Sequence, residues 1–269
     1  MQMTELHAGK GDLTLRLARS PDEIRACQRL RYIVFYEELA ARPDAAAAEG
    51  RVDADHFDAN CDHLVVVRTA PAAAADAIML GDGELVGTYR LLRQDVADAH
   101  GGFYTQSEFD IAPMLAAHPE LRFLELGRSC VLKPYRTKPA VELLWQGIWN
   151  YVRMHRLDVM FGCASLEGIN PGVHAATLSF LAECRPTPPE WRVRALPGRH
   201  VEMKGRTGVD PKAALRALPP LIKGYLRLGC YIGEGAVVDT QFNTIDILIV
   251  LPVAAIAARY FTHFGSPAA

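Results

Sequence analysis

Strand-like segments crowd the first half of this 269-residue sequence, and helix-like segments alternate with strands in the second half. Alternating or short apolar runs at residues 13–18, 63–67 and 84–92 indicate strands, whereas an apolar stripe at helical spacing over residues 141–156 indicates a helix. Further strands are predicted at 78–80, 123–132, 158–164 and 245–250, and further helices at 172–181 and 220–228. This order predicts an α/β fold in which a mixed sheet has helices on both faces.

Residues 20–23 have the composition of a helix start. Ser20 can cap the first turn, Pro21 suits its first position, and Glu23 completes a capping box. We expect this helix to run to about Leu39. On such a helix Arg31 and Phe35, four residues apart, share one face.

The overall composition excludes several classes of protein. Half of the residues are hydrophobic and 22% are charged, which predicts a folded core and argues against disorder. A net charge of −2 argues against a nucleic-acid-binding protein. The six cysteines include no CxxC pair, so no metal site is predicted, and reduced thiols are typical of a cytoplasmic protein.

The distribution of charge and apolar residues bears on partners. The N-terminus has no apolar signal segment. The longest apolar run, residues 247–258, is short of the ~20 residues that a spanning helix needs, although such a run can contact a membrane surface peripherally. Residues 35–62 are acidic and residues 185–228 are basic, which indicates either a negatively charged partner or solvated surface. We expect a single domain over residues 1–269, with a basic C-terminal part from about 185 to 269.

One set of charged and aromatic residues is the candidate site. Gly127 lies between Glu125 and Arg128, and a glycine within a strand often marks a bulge that frees backbone N–H groups for an oxyanion. The alternatives are a surface ion pair for Glu125 and Arg128, and turn formation for the aspartates. The histidines do not cluster, and His63 and His174 are interpreted as structural. The set is Arg31, Phe35, Asp55, Asp58, Arg90, Glu125 and Arg128.

Several longer stretches resemble the hemolysin-like branch of the GNAT-type acyltransferases, and within it the N-acyltransferases that begin ornithine lipid synthesis. The resembling stretches are QRLRYIVFYEEL, DANCDHLVV, VGTYRLL, ELGRSCVLKPYRTKPAVELLW and LPPLIKGYLRLGCYIGEGAVVDTQFNTIDILIV. The resemblance implies a GNAT-like fold. It also implies transfer of a 3-hydroxyacyl group from acyl carrier protein to the α-amine of L-ornithine, giving lyso-ornithine lipid, with no cofactor beyond the carrier's phosphopantetheine thioester.

The acyl-homoserine-lactone synthases are a second family that the sequence resembles. Their pattern Arg-x3-Phe, Asp-x2-Asp, Arg, Glu-x2-Arg matches the seven candidate residues. The tryptophan that those enzymes carry after the phenylalanine is absent, and Ala41 stands near its place. The glycine-rich loop of acetyl-CoA enzymes is replaced by KPYRTKPA, which favours a carrier protein as donor over free CoA.

The resemblance also implies roles for the candidate residues. Glu125, with Arg128 beside it, is the candidate base for the amine. An arginine suits the carboxylate of the amino acid, and Asp55 or Asp58 suits its side-chain ammonium. Lys133, Arg136 and Lys138 are expected to contact the acidic carrier protein, near a helix start that can receive a phosphate. The alternatives are a quorum-signal synthase and a non-catalytic, membrane-associated hemolysin-like protein.

Overall fold

The computed structural model describes residues 6–70, 76–205, 208–257 and 260. The strands are β1 (His7–Lys10), β2 (Leu13–Leu17), β3 (Asp62–Arg68), β4 (Met79–Leu80), β5 (Gly83–Arg93), β6 (Phe109–Asp110), β7 (Phe123–Val131), β8 (Val159–Glu167), β9 (Arg194–Ala195), β10 (His200–Val201), β11 (Tyr231–Asp239) and β12 (Thr244–Pro252). The α-helices are α1 (Pro21–Tyr32), α2 (Ala45–Gly50), α3 (Gln94–Ala99), α4 (Ala112–Ala117), α5 (Lys138–His155), α6 (Pro171–Cys184), α7 (Pro211–Ala217) and α8 (Pro220–Leu228).

The chain forms two compact units. The first contains the described residues of Met1–His100 and Leu126–Arg156, and the second those of Gly101–Glu125 and Leu157–Ser266. Strand β7 begins in the second unit and ends in the first. The single domain expected from the sequence stays a prediction. Parts of its basic C-terminal segment, residues 206–207, 258–259 and 261–269, lie outside the described residues.

The first unit is built on antiparallel strands with a helix on each face. Strands β1, β2, β3 and β5 are neighbours in that order, followed by β7, and β4 pairs with the edge of β5. Helix α1 packs its Ala26, Cys27 and Leu30 against Val65 of β3. Helix α5 covers the opposite face, where a Cβ added at Gly147 would lie 2.7 Å from Leu15. The helices predicted on both faces of the sheet are therefore observed in this unit, and the parallel pairing that makes the sheet mixed, as predicted, is that of β7 with β8.

The first helix agrees with its predicted start, and its winding changes before its predicted end. Ser20 caps it, accepting a hydrogen bond from the backbone of Glu23 at 3.3 Å. The α-helix ends at Tyr32 and continues as a π-helix, Ile33–Glu38. Because a π-helix inserts an extra residue per turn, the four-residue spacing of Arg31 and Phe35 crosses a change of period. Arg31 is buried. Phe35 is partly buried and packs against the α1 core, the cluster of buried apolar residues that α1 forms with β3 and β5.

The second unit contains a parallel strand pair followed by antiparallel strands. The first residues of β7 pair in parallel with β8, as Phe123 with Val159 and Glu125 with Phe161. Strand β8 then pairs antiparallel with β12, and β12 with β11. The predicted strands at 158–164 and 245–250 are confirmed as β8 and β12. Among the helices of the described residues, none combines the length and apolar character needed to cross a membrane.

Strand β11 was not predicted from the sequence. Its glycines interrupt the apolar pattern, and its register against β12 shifts between Ile232 and Ala236. Gly235 lies in this shift with a φ of 81°, a left-handed conformation that side chains rarely adopt. A Cβ there would also lie 2.7 Å from the His200 ring. The irregular register explains why a strand pattern is hard to read in this segment.

Candidate active site

Three arginines and three aspartates form one ion-pair cluster in the first unit. Arg31 of α1 lies 2.7 Å from Asp58 and 2.8 Å from Asp53. Arg90 of β5 and Arg128 of β7 complete the set with Asp55. The arginine–aspartate cluster is Arg31, Arg90, Arg128, Asp53, Asp55 and Asp58.

Asp55 and Asp58 are shared between two arginines each. Arg90 Nη1 donates to Asp55 Oδ1 at 2.6 Å and to Asp58 Oδ1 at 2.9 Å. Arg128 Nη2 donates to Asp55 Oδ2 at 3.2 Å. The local turn supports this arrangement, because the backbone N–H of Phe57 donates to Asp55 and that of Asp55 donates to Asp58. The predicted residues Arg31, Asp55, Asp58, Arg90 and Arg128 are therefore brought together in this unit.

The positive charges of the cluster favour the ionised forms of Asp55 and Asp58. Burial alone would raise the pKa of Asp58, but hydrogen bonds and charge from Arg31 and Arg90 hold it well below its ordinary value. The pKa of Asp55 is also lowered, since Arg90 and Arg128 more than offset its burial. With three positive and three negative side chains, the cluster balances its own charge.

The cluster is deeply buried on one side and more accessible on the other. Arg31, Asp58 and Arg90 expose 4% or less of their side chains. Asp55 and Arg128 expose 21% and 12%. An incoming solute therefore has better access to Asp55 and Arg128 than to the buried part of the cluster.

The backbone of β7 is irregular at Arg128 itself. Arg128 has a φ of 51°, a left-handed value that is uncommon for a residue with a side chain. The bulge predicted at Gly127 stays a prediction, and the left-handed backbone lies one residue later, at Arg128. Strain of this kind is frequent where a side chain must be directed into a functional cluster. Here it accompanies the contacts of Arg128 with Asp53, at 3.2 Å, and with Asp55.

Asp53 is a member of the cluster that the sequence analysis missed. Its carboxylate contacts Arg31 and Arg128, and it accepts a hydrogen bond from the Tyr36 hydroxyl at 3.2 Å. Its only signal in the sequence is its place two residues before Asp55, in an acidic stretch where several aspartates look alike. The fold, and not the spacing, distinguishes it.

Glu125 lies in the second unit, where it contacts a backbone turn. Its buried carboxylate accepts hydrogen bonds from the N–H of Tyr104 at 3.0 Å and of Thr105 at 2.7 Å. These are the first residues of a short 3-10 helix, Tyr104–Ser107. Both carboxylate oxygens are therefore occupied by backbone N–H donors of this turn. Glu125 therefore stabilises the start of this 3-10 helix through two hydrogen bonds to its backbone.

The sequence analysis also missed a group of three acidic residues in the second unit. Glu108 lies beside Asp239 and Asp246, with one carboxylate oxygen of each within 4.8 Å of the others. Cys163 donates its thiol hydrogen to Glu108 at 3.2 Å. Burial, followed by the charge of Asp246, raises the pKa of Glu108 to about 7. Close negative charges in a buried place favour a protonated carboxyl group, and Glu108 therefore keeps its proton up to about pH 7.

The residues predicted to contact a carrier lie around the start of α5. Lys133, Arg136 and Lys138 are all exposed. Arg136 donates to the carbonyl of Val131 at 2.9 Å and forms an ion pair with Glu38, and Lys138 lies 3.5 Å from Glu142. Helix α5 is 18 residues long, and its N-cap Thr137 makes no side-chain capping bond. The basic residues and the helix start are therefore neighbours at the surface of the first unit.

Comparison with known proteins gives a domain match over part of the chain. Residues 30–146 match the family model described as the acetyltransferase (GNAT) domain, a stretch that contains the whole arginine–aspartate cluster. A solved structure of the AHL synthase LasI aligns with 92% of this chain and 95% of its own, at 12% identity and a TM-score of 0.46. The domain match agrees with the GNAT-like fold expected from the sequence.

The family follows from two curated relatives. The L-ornithine N(alpha)-acyltransferase of Agrobacterium fabrum is 52% identical over 96% of this chain and 87% of its own length. That of Rhizobium meliloti is 51% identical over 96% of this chain and 86% of its own. The chain belongs to this family of acyltransferases, which confirms the resemblance noted in the sequence.

Proposed function

We propose that this chain transfers a 3-hydroxyacyl group from acyl carrier protein to the α-amine of L-ornithine, giving lyso-ornithine lipid. The observation that supports this most strongly is the 52% identity, over almost the full chain, to a protein named L-ornithine N(alpha)-acyltransferase. The product carries an acyl chain. Because an acyl chain partitions into a lipid bilayer, we also propose that the enzyme contacts a membrane surface peripherally.

The reaction needs one proton to be removed and two substrates to be held together. The neutral amine attacks the thioester carbonyl, the N–C bond forms, and the C–S bond breaks to release the carrier thiol, which takes up a proton. Because the thioester is already activated, no covalent enzyme intermediate is required, and positioning supplies much of the rate. Glu125 is the proposed base for the amine proton, directly or through a water molecule.

The accessible edge of the arginine–aspartate cluster is the proposed site for the amino acid. Arg128 suits the α-carboxylate by bidentate pairing, and Asp55 suits the side-chain ammonium. Between the two aspartates considered from the sequence, Asp55 is favoured because its side chain is 21% exposed against 4% for Asp58. Arg31, Arg90 and Asp58 then support this pair from below, and Phe35 contributes apolar surface on the α1 side.

The start of α5 is the proposed site for the carrier protein. Lys133, Arg136 and Lys138 supply positive charge for an acidic partner, and the helix N-terminus can receive the phosphate of the phosphopantetheine arm. The electrostatic attraction of exposed residues weakens with salt, so carrier use is expected to be salt-dependent.

The test is an assay of purified protein with defined substrates. With a 3-hydroxyacyl carrier protein and L-ornithine, we expect release of carrier thiol and a lyso-ornithine lipid detected by mass spectrometry. S-adenosylmethionine in place of ornithine tests the quorum-signal alternative, and acetyl-CoA in place of the carrier tests the donor. Equal or faster turnover with acetyl-CoA would contradict the donor assignment, and a lactone product would contradict the acceptor assignment.

A further inference from the structure

His63, which the sequence analysis interprets only as structural, lies beside the arginine–aspartate cluster. It is on β3 directly opposite Arg90 of β5, and paired residues of neighbouring strands point to the same face. Val65, two residues along β3, packs in the α1 core, so this is the α1 face of the sheet. The side chain of His63 is 1% exposed.

The contacts of the ring determine which nitrogen carries the hydrogen. His63 Nε2 lies 3.1 Å from the backbone carbonyl oxygen of Asp58. A carbonyl oxygen can only accept, so Nε2 must donate, and the neutral ring then has a bare lone pair at Nδ1. Within the described part of the chain, Nδ1 is buried and has no hydrogen-bond partner. A second hydrogen placed there would meet no acceptor.

The charges around the ring also oppose a positive imidazole. Arg31 on α1 and Arg90 on β5 are both positive, and the carboxylate of Asp58, 4.0 Å from Nε2, is already engaged by both. Burial is the main cause that lowers the pKa of His63, with Arg31 and Arg90 adding to it, while the carbonyl contact and the charge of Asp58 act in the opposite direction.

We propose that His63 is a positioning residue of this site: the neutral ring, protonated at Nε2 alone, holds the Asp58 backbone in place, and protonation of Nδ1 disrupts the cluster. The Nε2–H bond fixes the residue whose carboxylate joins Arg31 to Arg90. Through Arg90 the same contact bears on Asp55, the accessible carboxylate. An imidazolium would add a third positive charge against one shared aspartate and leave a buried donor unsatisfied.

The activity arm of the test rests on the proposed function and uses two substitutions. His63→Gln places an amide N–H where Nε2 lies but cannot titrate, whereas His63→Leu removes the donor. We expect kcat/KM for the amino acid to stay within about threefold of wild type for His63→Gln. For His63→Leu we expect a fall of about tenfold, the size of one buried hydrogen bond, mainly through KM. The control is His174→Gln, a histidine of the second unit whose Nε2 also contacts a carbonyl, that of Glu167.

The pH dependence separates positioning from mere packing. At each pH, kcat/KM of the His63→Gln variant is divided by that of the wild type. The titration of the substrate amine affects both values equally and therefore cancels. We expect this ratio to be near one at neutral pH and to rise only as the pH falls through the lowered pKa of the His63 ring, where the wild-type ring accepts a proton. A ratio that stays flat while NMR shows the His63 ring taking up its proton overturns the proton-sensitive part, and equal losses for Gln and Leu overturn the hydrogen-bond role.

A spectroscopic arm is independent of any assumed substrate. NMR of the full chain with 15N-labelled histidine reports the tautomer and the titration of His63, assigned with the Gln variant. The Nε2–H tautomer and a pKa below the ordinary histidine value are expected. An Nδ1–H tautomer, or ordinary titration near pH 6.5, overturns the proposal even if ornithine acylation is confirmed. Agreement in this arm with no ornithine turnover would instead locate the failure in the proposed function.

Discussion

Arg31 on α1 and Asp58 before β3 form a two-pronged ion pair in the interior of the first unit. Nη1 donates to Oδ1 at 2.8 Å and Nη2 to Oδ2 at 2.7 Å. Gln28, one turn earlier on α1, donates to the same carboxylate at 2.9 Å. The pair joins the first helix to the loop that carries the accessible Asp55. Its strength therefore bears on both stability and substrate binding.

Removing one partner of this pair is expected to destabilise the protein strongly. Asp58→Asn leaves Arg31 and Arg90 buried with less negative charge, and loss of one partner of a buried pair costs about 3–5 kcal/mol. Chemical denaturation measures the change in free energy of unfolding. Asp95→Asn, at an exposed ion pair with Arg93, is the control and should change stability by less than about 1 kcal/mol. Similar small losses for both variants would show that the cluster contributes little to the fold.

Glu125→Gln distinguishes a catalytic base from a backbone anchor. Loss of a general base typically lowers the rate about 10²–10⁴-fold, and higher pH should partly restore it by deprotonating the amine. Loss of the anchor alone should lower the melting temperature instead, because the amide offers one acceptor oxygen to the N–H groups of Tyr104 and Thr105. Steady-state rates from pH 6 to 9, with melting curves, measure both. Wild-type turnover at neutral pH would end the assignment as base.

Reversing one charge at the start of α5 should weaken carrier use. Lys138 is 85% exposed and pairs only loosely with Glu142, so Lys138→Glu should leave the fold intact. We expect KM for the carrier to rise several-fold at low salt, with a smaller effect at ~0.15 M and above. Arg136→Glu should act in the same direction but also lose the contact with the Val131 carbonyl. Arg192→Glu, an exposed arginine of the second unit, is the control, and an equal effect there would remove the local role of α5.

The buried Glu108 should make stability depend on pH. Its pKa in the folded chain is about 7, above the ordinary 4.5, because of burial and the charge of Asp246. A raised carboxyl pKa favours folding fully below about pH 4.5, and that contribution is lost as pH rises through 7. Glu108→Gln should therefore gain stability over wild type between pH 5 and 8, on the order of 2–3 kcal/mol. Melting curves across this range, with Glu183→Gln as an exposed control, measure it. A constant difference between the variants would contradict the retained proton.

Local sequence patterns were sufficient for several of the regular elements. The Ser20 cap, the apolar stripe of α5 and the short apolar runs of β3, β8 and β12 depend on neighbouring residues, so their identity can be read without the fold. The resemblance of longer stretches also indicated the GNAT class. Boundaries were less accurate: α5 begins at Lys138, three residues before the predicted position, because Pro139 is tolerated in its first turn.

The partners of the buried charged residues depend on tertiary structure alone. Arg31, His63 and Arg90 come together because β3 and β5 pair in one register under α1, and a shift by one residue would direct His63 to the other face. The pairing of β8 with β12 brings Cys163 near Asp246. Glu108 directly precedes β6 and contacts Cys163 although it is far from that residue in sequence. The sequence identified candidate residues whose side chains suit the proposed reaction. Burial and register determine which charges neutralise each other, which carboxyl keeps a proton, and which pair stays accessible to a substrate.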